Sequence, residues 1–127
     1  SYYVEIGFQM FSQRPLLGWG LDNFSYCLRH FYGYPYEVYS HCNYAEILSC
    51  YGIIGATIYF WPYLVVFLSE WRYRTENLLS KLFIVLLIRF LIFEYSTITY
   101  NMLMYVVILT VLICGNNIIK AEKEGEV

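Results

Sequence analysis

From Ala45 to Leu68 the chain carries a single charged side chain, Glu46, and that stretch restricts the possible fold more than any other feature. Wound as a helix at 1.5 Å per residue it would be about 35 Å long, enough for a hydrocarbon core of ~30 Å. Two further apolar stretches follow, about Leu78 to Tyr95 and about Ile98 to Cys114. The expectation is an all-α, polytopic membrane protein fragment with three transmembrane helices, over about 45–68, 78–95 and 98–114. An extracytoplasmic segment with short helices, 1–44, would precede them and a cytoplasmic tail, 115–127, would follow. Of the 127 residues 59% are hydrophobic and 14% charged. Soluble domains carry roughly 25% charged residues, and one of this size has few places to hide so much apolar surface. The net charge of -2 leaves no basic footprint, so nucleic acid is not expected as a partner.

Ser1 to Gln13 has Val4, Phe8 and Phe11 at helical spacing with Tyr3 and Met10 alongside, which predicts a short amphipathic helix lying on the membrane and ended by Pro15. Leu16-Leu17-Gly18-Trp19-Gly20 reads as a turn. A phosphate-binding glycine loop would need a preceding strand, and either a third fingerprint glycine or a Walker lysine, none of which is present. Asp22 is placed to cap a second short helix with Leu21, Phe24, Leu28 and Phe31 on one side, and Gly33 to Tyr39 is loop. Pro62 should kink the first span without breaking it. Ser96 and Thr97 join the second and third spans so tightly that an antiparallel hairpin is expected.

Basic residues set the orientation, because short cytoplasmic loops are enriched in Lys and Arg. Arg72 and Arg74 lie between the first two spans, with Lys81 just past them, Lys120 and Lys123 lie in the tail, and the turn between the second and third spans has none. That puts 1–44, and His41 with it, on the outer face. The first residues are neither basic nor uniformly apolar, so they do not read as a signal peptide. Charges inside apolar spans, Arg89 and Glu94, call for partners on other helices, so the chain is expected to be the C-terminal part of a larger parent. Fifteen tyrosines and three tryptophans exceed what a core needs and are expected at the headgroup level or on a sugar-binding surface. The cysteines Cys27, Cys42, Cys50 and Cys114 make no metal-binding spacing, so no metal is expected. Cys27 and Cys42 would be able to pair only if both face an oxidising compartment.

The residues with chemistry gather just before the first span, in Ser40-His41-Cys42-Asn43-Tyr44-Ala45-Glu46. Imidazole suits proton transfer near neutral pH, and His41, in a loop before a helix, can be aimed without strain. A lone histidine is as a rule structural, and His30 has no comparable setting. Glu46 would orient His41 or contact a sugar hydroxyl, or else simply favour the helix dipole from the first turn. Arg89 lies eleven positions beyond Leu78, about 16 Å into the second span. At that depth a guanidinium holds a phosphate or pairs with a carboxylate on another helix.

Three segments carry a resemblance: Pro15-Leu16-Leu17-Gly18-Trp19-Gly20-Leu21-Asp22-Asn23-Phe24, then His41 to Glu46, then Gly52-Ile53-Ile54-Gly55. In order and spacing they resemble the signature region of the O-antigen ligase and polymerase family. Cys42 stands where that family has asparagine, and Ala45 where it has leucine. The resemblance implies a membrane glycosyltransferase of the bacterial inner membrane that needs no cofactor. It would move a glycan from an undecaprenyl pyrophosphate carrier onto an acceptor, either a glycan or a lipid core. His41 matches the histidine thought to act at the acceptor hydroxyl, with Glu46, Arg89, Asn43 and Tyr44 as candidate substrate contacts. The family's arginine upstream of the turn would fall at or just before Ser1, and Arg14 does not inherit its role. The contrasting expectation is a non-catalytic membrane transport or assembly subunit in which His41 and Arg89 only pack or pair.

Overall fold

The computed structural model describes residues 2–73 and 78–97 and, beyond these, Val107, Thr110, Val111, Cys114, Gly115, Ile118, Ala121 and Gly125. Among the described residues the chain is all-helical: α1 (Tyr2–Gln13), α2 (Phe24–Tyr32), α3 (Asn43–Tyr73) and α4 (Leu78–Glu94). Among the described residues one helix, over Asn43–Arg72, is long and apolar enough to cross a membrane, of the three spans expected. α4 has almost the bounds predicted for the second span, but its 17 residues make a rod of about 25 Å. Most of the third span and of the tail lies outside the described residues; Val107, Thr110, Val111 and Cys114 are helical.

The chain divides into two compact units, Ser1–Tyr59 with Phe93–Thr99, and Phe60–Ile92 with Tyr100–Val127. In the first, Ile6, Met10, Phe24, Cys27, Leu28 and Cys50 form the core, with Tyr3, Trp19, Tyr32, Tyr34, Val38 and Tyr51 packed against it. The buried side of α1 is Ile6, Gly7 and Met10, and Phe8 is exposed, so the stripe is rotated from the predicted Val4, Phe8 and Phe11. Gly7 is the reason. A Cβ there would stand 3.1 Å from the Cβ of Ala45, so α1 crosses α3 where both residues are small. A hydrophobic pattern gives no weight to a contact face marked by a glycine.

α2 buries Phe24, Cys27 and Leu28 and leaves Leu21 and Phe31 exposed, against expectation. Its N-cap is Asn23, without a side-chain capping bond; Asp22, the predicted cap, lies one residue earlier at φ 53. Leu21 therefore falls outside the helix. Gly33, at φ 68, closes the C-terminus by donating its N–H to the Leu28 carbonyl, as left-handed caps do. All four cysteines are free, Cys27 and Cys42 included, and both of these are buried. Burial pushes the Cys27 thiol above its usual range, with Arg14 acting more weakly the other way.

α3 is interrupted, but at Gly52 and not at Pro62. Gly52 has φ 65 and ψ -167, a region open in practice only to glycine, while Pro62 continues the helix. The turn after α1 enters the gap. Trp19 and Gly20 donate their N–H groups to the Ser49 and Cys50 carbonyls at 2.9 and 2.8 Å, and Ile53 and Ile54 donate theirs to the Pro15 and Leu16 carbonyls at 2.8 and 3.3 Å. Ser49 with Ile53 and Cys50 with Ile54 are the pairs a continuous helix would bond to each other. Each group has instead taken a partner from 15–20. The approach is backbone on backbone: a Cβ on Gly18 would meet the Cys50 carbonyl at 2.4 Å, and one on Gly52 the Leu16 carbonyl at 2.4 Å.

In the second unit the α3 residues Tyr63, Val66 and Glu70 and the α4 residues Ser80, Ile84 and Leu87 are buried at helical spacing. Large apolar side chains elsewhere on these segments, among them Ile58, Trp61, Leu68, Val85 and Ile92, are exposed.

Candidate functional site

His41 sits in the turn that leads into α3, at φ 55. A left-handed conformation costs a residue with a side chain roughly 1–2 kcal/mol and persists only where neighbours impose it. Here Ser40 and Glu46 impose it. The Ser40 N–H donates to Glu46 Oε2 at 2.9 Å, and Ser40 Oγ lies 2.9 Å from the same oxygen and 2.7 Å from the Cys42 carbonyl. The Cys42 N–H then donates to Ser40 Oγ at 3.1 Å, closing a bracket across His41. Ser40, Cys42 and Glu46 are buried, whereas His41 is exposed. The bracket is anchored by the helix itself, whose first internal bond runs from Glu46 N to the Cys42 carbonyl.

Glu46 thus acts on His41 through the backbone of Ser40, in the manner of a capping box that reaches past the cap. No bond between its carboxylate and the imidazole is formed. The His41 ring is flanked instead by aromatic rings, Tyr39 at 4.7 Å and Tyr3 at 6.5 Å between centroids.

Asn43 and Tyr44 begin α3 on the other side of this turn. Asn43 is fully buried and donates through Nδ2 to Glu94 Oε2 and to Tyr59 Oη, both at 3.2 Å. Tyr59 Oη donates to Glu94 Oε1 at 3.0 Å, and Tyr44, half-buried, lies within electrostatic reach of Glu94, Cys42 and Tyr59. Glu94, at the end of α4, is fully buried and latches the first turn of α3, which carries the bracket. Sequence reasoning had flagged Glu94 as a charge in an apolar run and looked for its partner on helices beyond this chain. Two of its partners are Asn43 and Tyr59, 51 and 35 residues away.

Four of the five predicted site residues, His41, Asn43, Tyr44 and Glu46, therefore gather in the first unit. Arg89 belongs to the second, where it is exposed and has no ion pair among the described residues. Tyr3, Tyr39 and Ser40 complete the surroundings of His41 and were not singled out from sequence. The serine and glutamate six apart flanking a helix start were the available signal for Ser40; nothing local links Tyr3 to His41.

The turn over 15–20 and the segment over 49–54 are one structural object, so two of the three motif segments meet at Gly18 and Gly52 while the third, His41 to Glu46, forms the first turn of the same helix. No protein-family model, no curated protein and no solved structure matches this chain.

Proposed function

We propose that this chain is part of a bacterial inner-membrane glycosyltransferase, of the O-antigen ligase or polymerase type, in which His41 takes the proton of an acceptor hydroxyl. The observation that carries the reading is the backbone of His41. An exposed imidazole held in a strained conformation by a buried serine and carboxylate, at the start of a membrane-length apolar helix, is the arrangement expected of a group that must be aimed. In the reaction the acceptor oxygen attacks the anomeric carbon of the donor glycan as its proton passes to His41. The bond from that carbon to the carrier pyrophosphate breaks, and the pyrophosphate leaves with the electron pair. Cationic groups stabilise that leaving group.

The membrane setting is supported by α3, whose most apolar stretch is only 22% buried; a core helix of a soluble domain would be mostly covered. Further helices of a parent protein are supported by Glu70, which is buried with neither carboxylate oxygen hydrogen-bonded among the described residues. A buried carboxylate in an apolar setting calls for a cation or a donor.

The test is complementation of a strain lacking the parent gene with His41→Ala, the surface glycan being run on a gel beside wild type at matched membrane levels. Loss of the long-chain ladder is expected. An unchanged ladder would overturn the proposal and leave a non-catalytic membrane subunit.

A further inference from the structure

The rings beside His41 do not stop at its two neighbours. Tyr3 contacts Tyr34 at 5.6 Å between centroids, edge to face, and Tyr2 contacts Tyr3 at 6.0 Å and Tyr34 at 6.2 Å. Tyr39, His41 and Tyr3 thus form a row that ends in a triangle of rings, Tyr3, Tyr34 and Tyr2, at the start of α1. Tyr2 is 57% and Tyr39 54% exposed, His41 is exposed, and Tyr3 and Tyr34 are half-buried. The neighbouring Tyr3 phenol pushes the Tyr34 phenol above its usual range.

We infer that this row is the subsite for the acceptor glycan and that it binds a chain of uncharged pyranose rings; the inference rests on the glycosyltransferase reading above. Its chemistry selects that class of ligand. Each ring offers a face with negative quadrupole to the weakly positive C–H bonds on one side of a pyranose, and each carries a polar atom for a hydroxyl. The five members include no lysine, arginine or carboxylate, so nothing in the row attracts a phosphate or a charged peptide. Tyr39, His41 and Tyr3 follow one another at 4.7 and 6.5 Å between centroids, and Tyr2 and Tyr34 widen the far end. Tyrosines that only anchor a protein at the headgroups face lipid singly, whereas these touch one another and end on the imidazole that would receive the proton.

The test uses the detergent-solubilised full-length parent and, as probe, oligosaccharides released by mild acid from the strain's own surface glycan, in single-repeat and multi-repeat lengths. Binding is followed by saturation transfer from protein aromatic protons to sugar ring protons. Wild type and His41→Ala should both bind, since the imidazole is only one member of the row. Tyr39→Ala should weaken both lengths about tenfold, the loss of roughly one stacking contact. Tyr2→Ala, at the far end, should weaken the longer probe and spare the shorter. Both side chains are exposed, so their removal leaves the bracket and the core in place. Binding of both lengths by Tyr39→Ala as tight as by wild type, or no binding by wild type, would overturn the row as a subsite, and a ladder lost with His41→Ala would leave the transferase reading standing.

Discussion

Replacing Gly52 by alanine opposes two ways of satisfying the same backbone groups. If the broken helix is kept, the alanine must hold φ 65 and ψ -167, which costs of order 1–3 kcal/mol, and its Cβ must clear Leu16 O, Leu16 C and Gly18 N at 2.4, 2.5 and 2.7 Å. All three are main-chain atoms held by hydrogen bonds, so they cannot swing aside as a side-chain tip would. If the turn is expelled, Ile53 and Ile54 can bond to Ser49 and Cys50 in a continuous helix, for which alanine is the best residue. Four bonds between segments become two within the helix, and four groups of 15–20 turn to water. At about 1 kcal/mol net per bond the loss is about 2 kcal/mol, before the packing of Trp19 is counted. Expulsion is the cheaper route, so Gly52→Ala should heal α3 and release the turn. Amide hydrogen exchange on the purified protein reads this by position. Trp19 and Gly20 should lose protection while Ile53 and Ile54 keep theirs. Slow exchange at Trp19 and Gly20 in the variant would refute the reasoning, as it would mean that the gap tolerates a Cβ.

Two other substitutions test the site and the helix crossing. Ser40→Ala removes the hydroxyl that joins Cys42 and Glu46 and leaves a buried carboxylate one donor short, at about 1–3 kcal/mol; the glycan ladder should shorten at unchanged membrane level, and a full ladder would show that His41 needs no bracket. Ala45→Leu installs the leucine of the resembled family at a crossing where even a Cβ on the facing Gly7 would stand 3.1 Å from the Ala45 Cβ, so it should destabilise by about 1–3 kcal/mol and lower the melting temperature of the purified protein; an unchanged Tm would show that α1 can back away.

How far the sequence reached follows the range of each interaction. The helices were legible because apolar spacing and the Pro15 and Gly33 stops are local, and the predicted first span, 45–68, lies inside α3. The break at Gly52 was not, because nothing within the helix marks it; Pro62 was expected to leave the span unbroken, and it does. Pro62 keeps helical geometry, and Gly52 leaves it because a segment 32 to 37 residues earlier supplies the missing bonds. The histidine and glutamate were found as a pair, yet their connection through Ser40 depends on a left-handed His41, a conformation that histidine adopts more often than most residues but that no spacing in the sequence marks. Asn43 came into view through its motif, and its link to Glu94 could not, since it spans 51 residues. Buried faces were misplaced by one helical step on α1 for the reason Gly7 gives.

The close approach of Gly18 and Gly52 has a consequence for how this sequence can drift. Once either position gains a side chain and the turn is expelled, the other no longer faces a neighbouring backbone, and changing it as well costs little more. The penalty of the double substitution should lie near that of one and well below the sum of two, the signature of residues that act as a unit. For a lineage of such chains, one lesion would already have spent most of what the second protects. Two short stretches more than thirty residues apart would then be lost or kept together, as a single character.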